Sequence, residues 1–520
     1  MAEKTESDFP TVLSTTSNDS ALPSVRSHVP YRVWLVQGLI FLERAASYGA
    51  SQPFQNYLQL SPDDPVRPGA LGLGQARAIL IIYVWLIYIY VTPLAGGLLA
   101  DCWLGRRRTI QLGFIVYAFG LAVLTGTAFS QQIRGTGGLP GFIIGTLLIG
   151  AGVGAVRPNM TVFIIDQYPE EEPQVVKLKD GSSAVTSRDL TIQYIYNVNY
   201  WVINVGGLAG IVTTLTEKHV GFGYAYLISL CLMVVAAALF QAGYFHFIKA
   251  PPAGNVITSV VIALRRRRNR GHGESNQIVR EGQSPVRPDD VATSNEDEVL
   301  LRETKAALKA CLLFLPFPAL MLCIDIMDSG LVAQAGSMQT HGLPNDIMYN
   351  LNPIAVMVLL PLFQGWLYPF LAKRKINFTP QHRIGVGLLC AALAIGYTAG
   401  IQHLIYISGP CFDRPLKCLS GSIPNDVSVG IQTPTYVFLA LGEILAIVAG
   451  TELAYTRAPE NMKSIVQAVF LLFSAFGAVI GVGVSFAAED PNMVIVYASI
   501  AGLLALVTVA FEFAVIRRIL

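Results

Sequence analysis

Charge is what this chain has least of. Only 13% of its 520 residues are Asp, Glu, Lys or Arg, against about one quarter in soluble domains. With 53% hydrophobic residues, that deficit excludes an ordinary soluble domain and makes a lipid bilayer the expected partner. The 36 basic and 34 acidic residues nearly cancel, so no nucleic-acid partner is expected. Seven cysteines are scattered without a CxxC pair or a Cys/His metal spacing, so neither a metal nor another cofactor is implied. HExxH and GxSxG are missing too, and His341 and His382 fall near expected helix ends. An intramembrane enzyme would need such a catalytic group at midplane depth. Residues 1–30 lack an apolar core and are rich in Ser, Thr and acidic residues. They cannot act as a secretory signal and read as a disordered cytoplasmic tail, so the first internal span must direct insertion.

What is present is long apolar runs. A helix needs about 20 mostly apolar residues to cross the hydrocarbon core. Candidates run near 32–56, 76–100, 109–129, 140–166, 191–215, 222–247, 305–338, 347–371, 384–406, 433–456, 464–486 and 493–516. Basic residues gather in alternate connections: Arg106–Arg108, Arg265–Arg268, Lys373–Lys375, Arg457 with Lys463, and Arg517–Arg518. The positive-inside rule makes those loops and both termini cytoplasmic. The longest connection, 249–304, divides the spans six and six. The expected plan is therefore an all-α membrane protein with a tail (1–30), an N-terminal half (31–248), a cytoplasmic loop (249–304) and a C-terminal half (305–520). Two such halves closing around a midplane site would make a transporter; a scaffold of unrelated helices would leave the charges inside the spans without purpose. In GPCFDRPLKC, Cys411 and Cys418 fall on the outer face. A disulfide suits that oxidising side; two free thiols are the alternative.

Several stretches carry a resemblance. YVTPLAGGLLADCWLGRRRTI (90–110) is similar to the major facilitator loop Gly-x-x-x-Asp-x-x-x-Gly-Arg, through Gly97, Asp101, Gly105 and Arg106. Gly96 and Gly97 would permit close helix approach, and Asp101 with Arg106 would brace the helix ends. GAGVGAVRPNMTVFIIDQY (150–168), YWVINVGGLAG (200–210), QAGSMQTHGLPNDIMYNLNPIA (334–355) and GTELAYTRAPENMKSIVQAVFLLFSAFGAVIG (450–481) resemble the proton-dependent oligopeptide transporter family. PFQNYLQL (53–60) and PGALGLGQARA (68–78) look like its fungal peptide transporters in particular. The resemblance covers nearly all of 31–516. It implies the major facilitator fold, twelve transmembrane helices in two six-helix halves, and import of di- or tripeptides with protons by a plasma-membrane monomer.

The family's first helix carries Glu-x-x-Glu-Arg-Phe-x-Tyr-Tyr. In GLIFLERAASYGA (38–50), Glu43, Arg44 and Tyr48 match, while Ile40, Ala45 and Ser47 replace the first Glu, the Phe and the first Tyr. Positions 40, 43 and 44 share a helix face. With Ile40 one of two carboxylates is lost, so Glu43 is expected to be held ionised by Arg44 and proton coupling is placed in question. A larger or less polar peptide-derived cargo, or a non-transporting receptor, are the rival readings. Arg157 stands where the family has a lysine of the peptide site, and Pro158 should leave the helix locally irregular. Asp166 fits a helix-end charge reaching water. Asn204 matches a residue expected to bond a peptide backbone, with Gly206 and Gly207 allowing close packing. Glu443 is expected opposite Arg157 and to pair with it in one conformational state. Glu452 should face away from it unless Gly450 alters the helix. Asp325 or Asp328 could replace the lost proton acceptor. Arg44 or Arg157 would take a peptide carboxylate, Glu443 its amine, and Tyr48 with Asn204 its backbone.

Overall fold

A computed structural model describes residues 12–13, 24–64, 66–129, 131–168, 174–177, 182–249, 262, 265, 288–375, 378–415, 423–459 and 463–516. Eleven of its helices are long and apolar enough to cross a membrane: α2 Gln75–Leu104, α3 Arg106–Phe129, α4 Gly137–Asp166, α5 Leu190–His219, α6 Phe222–Gly243, α7 Phe317–Gly336, α8 Asn345–Leu371, α9 Pro380–Ile407, α10 Val429–Ala454, α11 Val466–Ser485 and α12 Met493–Val515. Ahead of them lies α1, Tyr31–Ser51. Its length of 21 residues suffices for a span, but Gln37, Glu43, Arg44 and Ser47 lower its apolarity. Three of those four are buried, so the polar groups face protein and not lipid.

Within the first half α3 packs along α4, α2 crosses α4, and α1 lies against α5 and α6. In the second half α9 packs on α12 and α10, and α7 on α11. The halves meet where α2 touches α11 and α5 touches α8. Glycine sets one of these distances. A Cβ on Gly96 would collide with the Gly154 carbonyl, so α2 and α4 approach backbone to backbone there. Gly97 has open space around it, so only Gly96 serves the close approach expected of both. At Gly105 the backbone turns with φ 74°, a conformation that favours glycine, and this starts α3.

Three expectations are corrected. The tail is not wholly without structure: Val12–Leu13 pairs antiparallel with Val175–Val176, and Ser24–Arg26 runs parallel to Val185–Ser187. Backbone pairing with the α4–α5 connection, which an isolated tail could not supply, orders these strands. The expected span 305–338 is interrupted: one helix occupies Pro288–Ala310 and α7 begins at Phe317, with Pro316 and Pro318 at the break. The loop 249–304 thus ends in helix, and Arg266–Arg268 lie outside the described residues. Pro158 does not break α4, whose helix runs through it. Beside it the Asn159 side chain donates to the Ala155 and Gly96 carbonyls at 2.8 and 3.2 Å, tying α4 to α2.

Candidate functional site

Polar residues of α1 meet α4 inside the first half. Arg157 Nε donates to Glu43 Oε1 at 3.1 Å, and Arg157 Nη2 donates to Ser47 Oγ. Arg44 Nε sits 3.4 Å from the other oxygen, Glu43 Oε2. One buried carboxylate therefore lies between two guanidiniums, and the cluster carries net positive charge. This corrects the one-to-one Glu43–Arg44 pair. The sequence cannot show that Arg157 crosses from α4 to fill the space opposite Glu43. Arg44 lines a small niche with Ile40, Met160, Thr161 and Asn199, apart from the main cavity. A Cβ on Gly206 would press on the Arg44 Cβ at 2.8 Å, so this glycine lets α5 close over the arginine. Gly207 meets Pro353 and Tyr48 at ordinary contact distance.

A cavity of about 230 Å³ lies between the halves. The first half contributes Arg157, Tyr48 and Asn204; the second contributes Glu443, Asp325 and Asp328. Each expected contact except Arg44 and Glu43 thus reaches the cavity. Both aspartates line it, three positions apart where α7 tightens to a 3₁₀ turn over Ile326–Asp328. Tyr90, on α2, donates to Asp325 Oδ1 at 2.7 Å and joins the halves. Sequence reasoning missed Tyr90; its one signal was a hydroxyl, which Tyr83, Tyr88 and Thr92 of the same run also carry.

Glu443 opens a π-helical turn, Glu443–Val448, which adds a residue to the turn. Its polar neighbours are Asn352 on α8 and Tyr200 on α5. The expected Arg157–Glu443 pair is not formed in this structure, because Glu43 and Ser47 already occupy Arg157. Asn204 turns its Nδ2 to the Tyr200 carbonyl at 2.9 Å, bonding its own helix and not a neighbouring one. Glu452 is exposed and away from the cavity. At the helix ends Arg106 binds both oxygens of Asp166 at 3.0 Å and lies 3.9 Å from Asp101. Asp166 is therefore a bracing partner, not a charge reaching water alone. Cys411 is disulfide-bonded; Cys418, its expected partner, lies outside the described residues.

Besides Tyr90–Asp325, hydrogen bonds joining the halves gather at the end that carries residues 52–74 and 336–350. Gln52 and Asn350 exchange amide bonds at 3.3 and 2.9 Å, as do Asn56 and Asn345 at 2.9 and 2.8 Å. Arg67 donates to the Gly336 carbonyl, and Lys218 to those of Gly342 and Leu343. That end is shut.

The arrangement has counterparts in known proteins. Residues 107–499 match the family model described as PTR2, POT family. The chain is 36% identical to "Peptide transporter PTR_C" of Candidozyma auris, over 92% of this chain and 83% of that one. It is 34% identical to "Probable peptide transporter ptr2" of Schizosaccharomyces pombe, over 93% and 77%. The crystal structure of the POT family transporter PepTSo superposes with a TM-score of 0.71 at 22% identity, covering 94% of this chain and 98% of that one. A family match over most of its length, relatives above 30% identity and the same helix arrangement place this chain in the POT family, as a multi-pass membrane protein of the major facilitator fold.

Proposed function

We propose that the chain imports di- and tripeptides together with protons, by alternating access between residues 31–248 and 305–520. The observation that carries this reading is the charge separation across the cavity. Arg157 stands on one wall, and Glu443, Asp325 and Asp328 stand on the other. A zwitterionic peptide needs a cation for its carboxylate and an anion for its amine, held apart by the length of its backbone. Because Arg44 and Arg157 share one carboxylate, the arginine wall keeps positive charge for an incoming anion. Tyr48 and Asn204 line the same cavity and can orient the backbone. The relatives named as peptide transporters support the same cargo class.

The bonded end is the outer one in this reading, with both termini cytoplasmic and the protein a monomer of the plasma membrane. The state is then inward-facing. Proton binding falls to the carboxyls of α7 and α10, since Ile40 cannot contribute. Binding of a radiolabelled dipeptide to purified protein tests the cargo assignment. Blocking the peptide amine by acetylation, or the carboxylate by amidation, should each weaken competition at least about tenfold, the equivalent of ~1.4 kcal/mol. If both blocked peptides compete as well as the free one, the charge-separated cavity does not read peptide termini. Binding without uptake into vesicles would make the chain a receptor.

A further inference from the structure

Two guanidiniums and one carboxylate do not balance. Arg44 and Arg157 keep their charge throughout the physiological range, and Glu43 supplies at most one negative charge. The cluster therefore holds at least one positive charge inside the first half, whether or not Glu43 is ionised. A buried charge without a counter-charge is strongly unfavourable. Glu43 is the one acid that lines the niche beside Arg44, among the described residues. We propose that this niche binds a single chloride ion, which serves as the second counter-ion of the arginine pair.

Three helices form the niche. Ile40 stands about one turn before Glu43 on α1, and Met160 and Thr161 about one turn after Arg157 on α4; Asn199 and Ile203 close it from α5. Its volume is about 10 Å³, close to a single water-sized sphere. A monatomic anion suits that space, and a peptide does not enter it. Arg44 is the cation placed to hold the ion. Its Nε makes an ion contact of 3.4 Å with Glu43 Oε2, yet it has no hydrogen bond among the described residues. Arg157, by contrast, is spent on Glu43 and Ser47. Asn199 is 6% exposed, and its Oδ1 has no hydrogen-bond partner among the described residues. A half turn of that amide exchanges Oδ1 for Nδ2, which can donate to an anion. The Thr161 hydroxyl already donates to the Arg157 carbonyl at 3.1 Å.

A water molecule could accept from the same donors, but it would leave the positive charge in place. Asp325, Asp328 and Glu443 are the other acids nearby, and they line the main cavity, which Arg44 does not. Within the niche the chain could supply the second negative charge at residue 40, where Ile40 stands 5% exposed. Arg157 and Ile203 line both niche and cavity, so an ion in the cavity reaches the niche past them. An anion held only by the folded chain stabilises it by mass action. The site needs no peptide and stands apart from the cargo assignment.

Equilibrium binding of radioactive chloride to the purified chain, in sodium gluconate at constant ionic strength, tests the site. Binding should saturate at one ion per chain, and chloride should raise the unfolding temperature where gluconate, too large for the niche, does not. Arg44→Gln leaves Glu43 and Arg157 as a one-to-one pair, and Ile40→Glu supplies a second carboxylate. Each should weaken chloride binding at least about tenfold (~1.4 kcal/mol), with thermal unfolding as the check on folding. Crystals grown in bromide should give an anomalous signal beside Arg44, and this position decides if either variant fails to fold. Binding that never saturates in the parent chain, undiminished binding in either folded variant, or bromide found in the main cavity and not in the niche overturns the proposal. Failure of peptide binding would leave all of these readouts unchanged, which separates the chloride site from the cargo assignment.

Discussion

At the scale of single residues, Glu43 decides whether the first half tolerates its own charges. It is the shared counter-ion of Arg44 and Arg157, so Glu43→Gln leaves two guanidiniums facing each other in a buried cluster. Breaking a buried pair by removing one partner costs roughly 3–5 kcal/mol. Glu43→Gln should therefore lower the midpoint of chemical or thermal unfolding markedly and abolish uptake, whereas Ser47→Ala, which removes one hydrogen bond, should cost only about 1 kcal/mol. Equal effects of the two would show that Glu43 is not the shared counter-ion. The niche around Ile40 gives a second expectation. A carboxylate there would restore two negative groups to two positive ones, so Ile40→Glu should be tolerated and should steepen the pH dependence of uptake. An unchanged pH profile in a folded variant would count against it. The residue types of this cluster were legible in the sequence, because ionisable groups inside an apolar run are functional candidates. Their pairing was not: it depends on which helix faces which, and Arg157 is 114 positions from Glu43.

Elements show where local chemistry stops predicting shape. Most spans were visible as apolar runs, and α9 and α10 begin within a few residues of their expected starts. The π-helical turn at Glu443 and the 3₁₀ turn at Ile326–Asp328 were not visible, since both are adjustments to packing and carry no fixed sequence signal. They matter because Glu443, Asp325 and Asp328 sit at them and line one space. Gly96 and Gly97 supply a paired test of packing. A methyl group at Gly96 meets the Gly154 backbone, while one at Gly97 meets nothing within 4 Å. Overpacking costs typically 1–3 kcal/mol, so Gly96→Ala should destabilise the purified protein by about that amount. Gly97→Ala should be neutral or slightly stabilising through its better helix propensity. Thermal unfolding in detergent compares them directly, and a reversed order would mean that α2 and α4 do not meet as described.

Across the whole molecule, the division into two halves was legible from one long polar connection and from the alternation of basic loops. The pairing of α2 with α11 and of α5 with α8 was not, since no local pattern records a contact between distant helices. Nor did composition reveal that strands before α1 join the α4–α5 connection in a sheet. In the proposed transport cycle a small peptide crosses between the halves through the cavity bounded by Arg157 and Glu443. Purified protein reconstituted into vesicles, with an imposed pH gradient and a radiolabelled dipeptide, tests it most directly. Uptake should be saturable and faster when the outer solution is acidic, and Arg157→Gln or Glu443→Gln should reduce it at least about tenfold (~1.4 kcal/mol) in protein that still folds. No accumulation of any dipeptide by the parent chain, or full uptake by both variants, would contradict the claim.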